Sequence, residues 1–204
     1  MGRGASALRQ KTQEKKLRSK TILSSIILSA SILVFSVVAS QNINTYHLPF
    51  NISYNTLSKP VQQQVDCLAK NIYHEAKSEP REGQVAVALV TLNRLASGNY
   101  ANDVCGVVNQ KTNGVCQFSW VCQPFIATKS LTSNTNSLYN DIRNVAVYVI
   151  MNYDNIHDVT KGATFYHADY VNPQWGLPKT TQIGRHIFYK RNTDLQTMKK
   201  DIKI

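Results

Sequence analysis

At 204 residues with 43% apolar content, the chain is long enough for one ordinary domain plus an appendage, and rich enough in apolar side chains to build a core. Its formal charge of +11 is uneven: the first 20 residues carry Arg3, Arg9, Lys11, Lys15, Lys16, Arg18 and Lys20 against Glu14 alone. The milder excess in the rest suits an anionic polymer through long-range attraction, and the lack of an arginine-rich stripe interleaved with aromatics argues against a nucleic-acid partner.

Behind the basic tail (1–20), Ile22 to Ala39 is uncharged and made mainly of Ile, Leu, Val, Ala and Ser. Eighteen such residues are at the short limit for a membrane-spanning helix, so 21–40 is expected to be a transmembrane or signal-anchor helix. The basic flank lies only on its N-terminal side, which places the tail in the cytoplasm and the rest of the chain outside. A second reading stands beside this one: Val37-Val38-Ala39 is a small-residue cleavage site, and the run is then a removable signal peptide. Residues 41–59, rich in Asn, Ser and Thr and broken by Pro49, read as a linker or as a wrap over the domain.

From Pro60 onward Val61, Val65, Leu68, Ala69, Ile72 and Ala76 recur at three- and four-residue steps, the period of a helix with one apolar face. Pro60 fits the first turn, where a missing N–H is harmless. The helix delivers Glu75 beside Ile72 and Ala76, where partial burial raises a carboxyl pKa and keeps the proton that a general acid needs. Pro80 and Gly83 break the pattern, and Gln84 to Ala96 then begins a helix apolar nearly all round, which belongs at the centre of a domain. Glu79 and Glu82 lie near its start, where negative charge is favoured by the helix dipole.

Ser97 to Thr132 shows no periodicity, and an irregular segment of that length in a compact domain is usually functional. Leu138, Ile142, Val145, Ala146, Val149 and Ile150 return to helical spacing, with Asn136 or Ser137 as a cap, and this helix is expected to pack on the second. Ala163 to His167 and His186 to Lys190 are short aromatic-rich runs that suit two paired strands. A polar tail, 192–204, closes the chain.

Cys67, Cys105, Cys116 and Cys122 all lie beyond the apolar segment, so an oxidising compartment makes two disulfides the natural reading. Of three connectivities, Cys116 with Cys122 is the first choice for one bridge. His74-Glu75 opens like a zinc-protease helix, yet Ser78 stands where the second histidine belongs. His167 and His186 are the remaining zinc reading, as a hairpin can bring them together; more often such residues are hydrogen-bonded structural groups.

Three separated stretches carry a family resemblance. The first runs from Asp66-Cys67-Leu68-Ala69 through Ile72-Tyr73-His74-Glu75-Ala76 and Glu79-Pro80 to Glu82-Gly83-Gln84-Val85 and Leu92-Asn93-Arg94. The second is Val104-Cys105-Gly106-Val107-Val108 with Cys116-Gln117-Phe118-Ser119-Trp120. The third joins Gly162-Ala163-Thr164-Phe165-Tyr166-His167-Ala168, Val171-x-Pro173-x-Trp175 and Ile183-Gly184-x-His186-x-Phe188-Tyr189. Together they resemble the SleB/CwlJ-type cell-wall hydrolase domain, expected here over 60–191 as a single lysozyme-like catalytic domain, α+β but predominantly helical, with a small β-hairpin.

The resemblance implies cleavage of peptidoglycan glycan strands between N-acetylmuramic acid and N-acetylglucosamine, as a lytic transglycosylase in some members, without a metal or other cofactor. Its catalytic glutamate falls on Glu75. Glu79, Tyr73, Gln117, Phe118, Ser119, Trp120, Tyr166, His167 and Trp175 are the candidates for holding substrate, though on composition alone Phe118 and Trp120 are core residues, and the two roles can coexist. Ser24, Ser25, Ser29, Ser31 and Ser36 weaken the apolar span and liken it to the signal-arrest-release anchors of some phage endolysins. The expected protein is a monomer, single-pass in the inner membrane with its domain in the periplasm, serving phage lysis or bacterial wall remodelling. An N-acetylmuramoyl-L-alanine amidase and a tethered, non-catalytic wall-binding module are the alternatives.

Overall fold

The computed structural model describes residues 52–123, 137–191, 193 and 194. The expected basic tail, the membrane segment 21–40, residues 41–51 of the linker and most of the 192–204 tail lie outside the described residues. Among the described residues, no helix is long and apolar enough to cross a membrane.

After a single 3₁₀ turn at Tyr54–Thr56, helix α1 spans Lys59–Ala76 and α2 spans Arg81–Ser97. The stripe on α1 behaves as its spacing demands, with Val65, Leu68, Ala69, Ile72 and Ala76 buried. In α2 everything from Gly83 to Arg94 is buried, which makes it the central helix. Gly98 ends it in the left-handed conformation at φ 68°, which glycine adopts without steric cost. Asp103 caps the short helix α3, Val104–Asn109, by accepting the Gly106 N–H at 2.6 Å. A two-stranded hairpin comes next, β1 at Lys111–Thr112 and β2 at Val115–Cys116, then a 3₁₀ turn at Ser119–Cys122. Helix α4, Ser137–Asn152, packs on α2 as its spacing suggests, and more extensively on α1.

The expected hairpin is part of a larger sheet. Strands β3 (Phe165–Ala168) and β5 (His186–Tyr189) pair antiparallel as their aromatic content suggests, and β4 (Lys179–Ile183) adds a third strand in the order β3-β5-β4. Sequence patterning passes over β4 because Lys-Thr-Thr-Gln-Ile is an edge strand without an apolar alternation. The sheet docks on α2 through Phe188, which lies fully buried with Ala86, Val90 and Ala163. In the register, Tyr166 faces Phe188 and Ala168 faces His186, while His167 faces Ile187. Since neighbours along a strand alternate sides, Tyr166, His186 and Phe188 look inward, and His167, Ile187 and Tyr189 look outward.

Two disulfides fasten this frame, Cys67–Cys105 between α1 and α3 and Cys116–Cys122 across the loop after β2. The second is the bridge expected first. Tyr54 joins the domain as well: its hydroxyl donates to Asp66 at 2.8 Å, its carbonyl accepts from Gln62, and Arg143 lies over its ring.

Candidate active site

Glu75 sits one residue from the end of α1, half-buried, and its Oε2 accepts the Tyr166 hydroxyl at 3.0 Å. The burial of Ile72 and Ala76 sinks the helix end into the core, and the inward side of β3 brings Tyr166 to meet it. Burial raises the Glu75 pKa, against the opposing pull of the Tyr166 hydrogen bond and the positive charge of Arg94. The phenol of Tyr166 is itself driven well above 10.0 by its own burial and by the neighbouring Glu75, so it remains a donor. A carboxyl that holds its proton unusually well, with a fixed donor on one oxygen, is suited to general-acid chemistry.

Arg94, which sequence reasoning leaves without a role, is the buried cation of the site at 5% exposure. Its Nε donates to the Thr164 carbonyl at 2.7 Å, and its guanidinium lies 4.9 Å from the Phe118 ring centroid and 5.4 Å from that of Tyr100. The signal was available: a permanent charge within an otherwise apolar helix must find partners in the interior. Asn71 carries the same signal. It lies four residues before Glu75 on the same helical face, accepts Trp120 Nε1–H at 3.0 Å and donates to the buried Thr91 hydroxyl at 3.2 Å.

Trp120 is thereby locked beside the Asn71–Glu75 face and stacks on His74 with centroids 4.3 Å apart and planes 16° from parallel. Burial, and secondarily Lys77, lowers the His74 pKa. Tyr73 stands edge-on to both His74 and Tyr139. Phe118 is a core residue at 3% exposure, in keeping with its packing reading. Gln117 turns toward β1, its amide donating to Thr112 at 3.0 Å, and Ser119 is exposed at the start of the turn bearing Trp120.

The remaining candidates do not gather at Glu75. The Glu79 carboxylate accepts the backbone N–H of Arg185 at 3.1 Å. His167 stacks on Tyr189 and meets Trp175 edge-on at 5.5 Å, on the outward side of the sheet from Tyr166. The same register separates His167 from His186, which looks inward with its ring edge-on to Tyr166 at 5.1 Å. The two imidazoles therefore do not converge as a zinc pair.

The family described as Cell Wall Hydrolase matches residues 78–189, a stretch that opens three residues after Glu75. The spore cortex-lytic enzyme of Bacillus subtilis (strain 168) is 32% identical over 128 residues, covering 59% of this chain and 35% of that protein. The spore cortex-lytic enzyme of Bacillus cereus is 29% identical over 145 residues, covering 70% of this chain and 50% of that one. The chain thus spans from about a third to half the length of these curated relatives. Among solved structures, the catalytic domain of the germination-specific lytic transglycosylase SleB from Bacillus anthracis is 30% identical, covering 67% of this chain and 98% of that one with a TM-score of 0.48.

Proposed function

The chain belongs to the cell wall hydrolase family, and from that premise we propose that it cleaves peptidoglycan glycan strands at the bond between N-acetylmuramic acid and N-acetylglucosamine, with Glu75 as the general acid. The observation that carries the reading is the half-buried Glu75 carboxyl with a raised pKa and the Tyr166 hydroxyl on its Oε2. Protonated, Glu75 gives its proton to the glycosidic oxygen as the C1–O bond breaks and the muramic ring takes on oxocarbenium character. The C6 hydroxyl of the same sugar then closes on C1, and Glu75, now a carboxylate, takes the hydroxyl proton. The product ends in 1,6-anhydro-muramic acid, and Glu75 has regained its proton.

That intramolecular closure needs no second carboxylate, because proximity supplies what water activation would otherwise have to. The engagement of Glu79 with a backbone N–H supports this route over simple hydrolysis. Trp120, fixed against His74 and Asn71, is the aromatic surface best sited to hold a sugar ring beside the acid. In this reading the chain is a monomer held at the inner membrane by 21–40, with its domain in the periplasm.

The test is mass spectrometry of muropeptides released from purified peptidoglycan by the full chain, run beside Glu75→Gln and a chelator control. Loss of a general acid costs about 10²- to 10⁴-fold in rate, so Glu75→Gln is expected to lose at least a hundredfold while remaining folded. Anhydro-muramic ends, abolished by the substitution and indifferent to chelator, are expected. Reducing ends would replace the transglycosylase by a hydrolase, and chelator-sensitive release of stem peptides would replace both by an amidase.

A further inference from the structure

Glu79 has the chemistry of a second catalytic carboxylate and the surroundings of a joint. Its N–H donates to the Ala76 carbonyl at 3.0 Å, which continues the end of α1, and its carbonyl accepts the Gln84 amide at 3.3 Å from α2. From that fixed base the side chain crosses to the turn between β4 and β5 and accepts the Arg185 N–H at 3.1 Å. Two glycines clear its path. A Cβ on Gly83 would come within 2.9 Å of the Glu79 Cβ, and one on Gly184 would overlap Glu79 Oε2 outright. The other side of the turn is also held, because the Arg185 carbonyl accepts the Asp169 N–H at 2.8 Å just beyond the end of β3. Arg185 is thus gripped between the end of α1, which bears Glu75, and the end of β3, which bears Tyr166.

We infer that Glu79 is a positioning residue, whose carboxylate, seated in the slot between Gly83 and Gly184, clamps the β4–β5 turn to the end of α1 and so sets where Tyr166 meets Glu75. The inference rests on the reading of Glu75 as the acid. It removes Glu79 from both other roles that its type suggests, a second catalytic carboxylate and a substrate ligand. What the clamp requires is an acceptor oxygen, not a charge. Glu79→Gln retains that oxygen; Glu79→Ala removes it, and Gly184→Ala drives it off the Arg185 N–H.

The full chain and these variants are compared for kcat and KM on peptidoglycan, for exchange of the Arg185 amide hydrogen and for thermal unfolding. Misplacing catalytic groups by about 1 Å costs on the order of a hundredfold, so Glu79→Ala and Gly184→Ala are expected to lower kcat by roughly ten- to a hundredfold with KM nearly unchanged. The double variant should be no slower than the slower single, since both changes break one contact. Glu79→Gln should keep kcat within about twofold and keep the Arg185 amide protected, whereas Glu79→Ala should speed its exchange by roughly tenfold or more, as expected for a lost charge-assisted hydrogen bond. A folded Glu79→Gln as slow as Glu79→Ala would make the carboxylate chemical and overturn the inference. A KM raised tenfold at unchanged kcat would make it a substrate ligand, and an unaffected Glu79→Ala would leave it without a role; either also overturns it. An active Glu75→Gln would overturn the general-acid reading instead, while amide exchange still reports on the clamp.

Discussion

The hydroxyl of Tyr166 tempers how firmly Glu75 keeps its proton. Burial pushes the carboxyl upward, and the phenolic O–H pulls it back by favouring the charged form. Tyr166→Phe should therefore raise the Glu75 pKa further, so that the alkaline limb of the activity profile, where the acid loses its proton, moves to higher pH. Hydrogen bonds to charged groups contribute about 1.5–3 kcal/mol, and a kcat lowered by roughly ten- to a hundredfold follows if that bond also orients the carboxyl. A pH–rate series on both proteins decides the matter; an alkaline limb that stays in place would mean that the phenol does not act on the proposed acid. At this scale the partial burial of Glu75 was legible because its neighbours Ile72 and Ala76 belong to an apolar stripe. Its pairing with Tyr166, singled out only as a candidate for holding substrate, was not, since that residue lies 91 positions away and only the strand register decides which way its ring looks.

Among the elements, the helices could be read because burial of one face leaves a period in the sequence. The loop after β2 leaves none, and its order comes from cross-links: the Cys116–Cys122 bridge closes the segment whose Trp120 stacks on His74. Closeness in sequence made that bridge the natural first choice, whereas the Asn71–Trp120 hydrogen bond depends on a distant loop returning to α1. The polar strand β4 was illegible for the opposite reason, being an edge strand that contributes pairing without a buried stripe. The two bridges should also behave differently when removed. Chain-entropy estimates give about 2 kcal/mol for the Cys116–Cys122 loop and about 4 kcal/mol for the Cys67–Cys105 loop. Replacing Cys116 and Cys122 together by serine should therefore cost modest stability yet raise KM by roughly two- to tenfold, the worth of one aromatic contact. Replacing Cys67 and Cys105 should lower the melting temperature more and leave KM of the folded protein unchanged. Measured KM and melting temperatures for the two double variants test this; equal KM effects would mean that Trp120 is held by His74 and Asn71 without help from its loop.

For the molecule as a whole, a half-buried acid that must hold a proton is a cost to folding at neutral pH. The folded pKa of Glu75 lies above its ordinary 4.5, so between those two values the folded state binds more protons than the unfolded one. Stability must then fall as pH rises through that window, being fully present below 4.5. His74 and His186 tilt the opposite way. Burial lowers both below 6.5, so their neutral forms suit the fold and stability is lost as pH falls from 6.5 through the lowered values. The total pH profile therefore mixes slopes of both signs, and only a difference isolates the acid. Glu75→Gln keeps the shape and an acceptor for Tyr166 while removing the titration. Its melting temperature should exceed that of the parent at pH 7, and the excess should shrink as pH is lowered toward 4.5. Thermal unfolding of the two proteins across that range is the measurement, and an excess independent of pH would show that Glu75 does not carry its raised pKa in the folded protein. The same substitution is expected to abolish turnover, so stability gained where activity is lost would identify the cost as one that the fold bears for its chemistry.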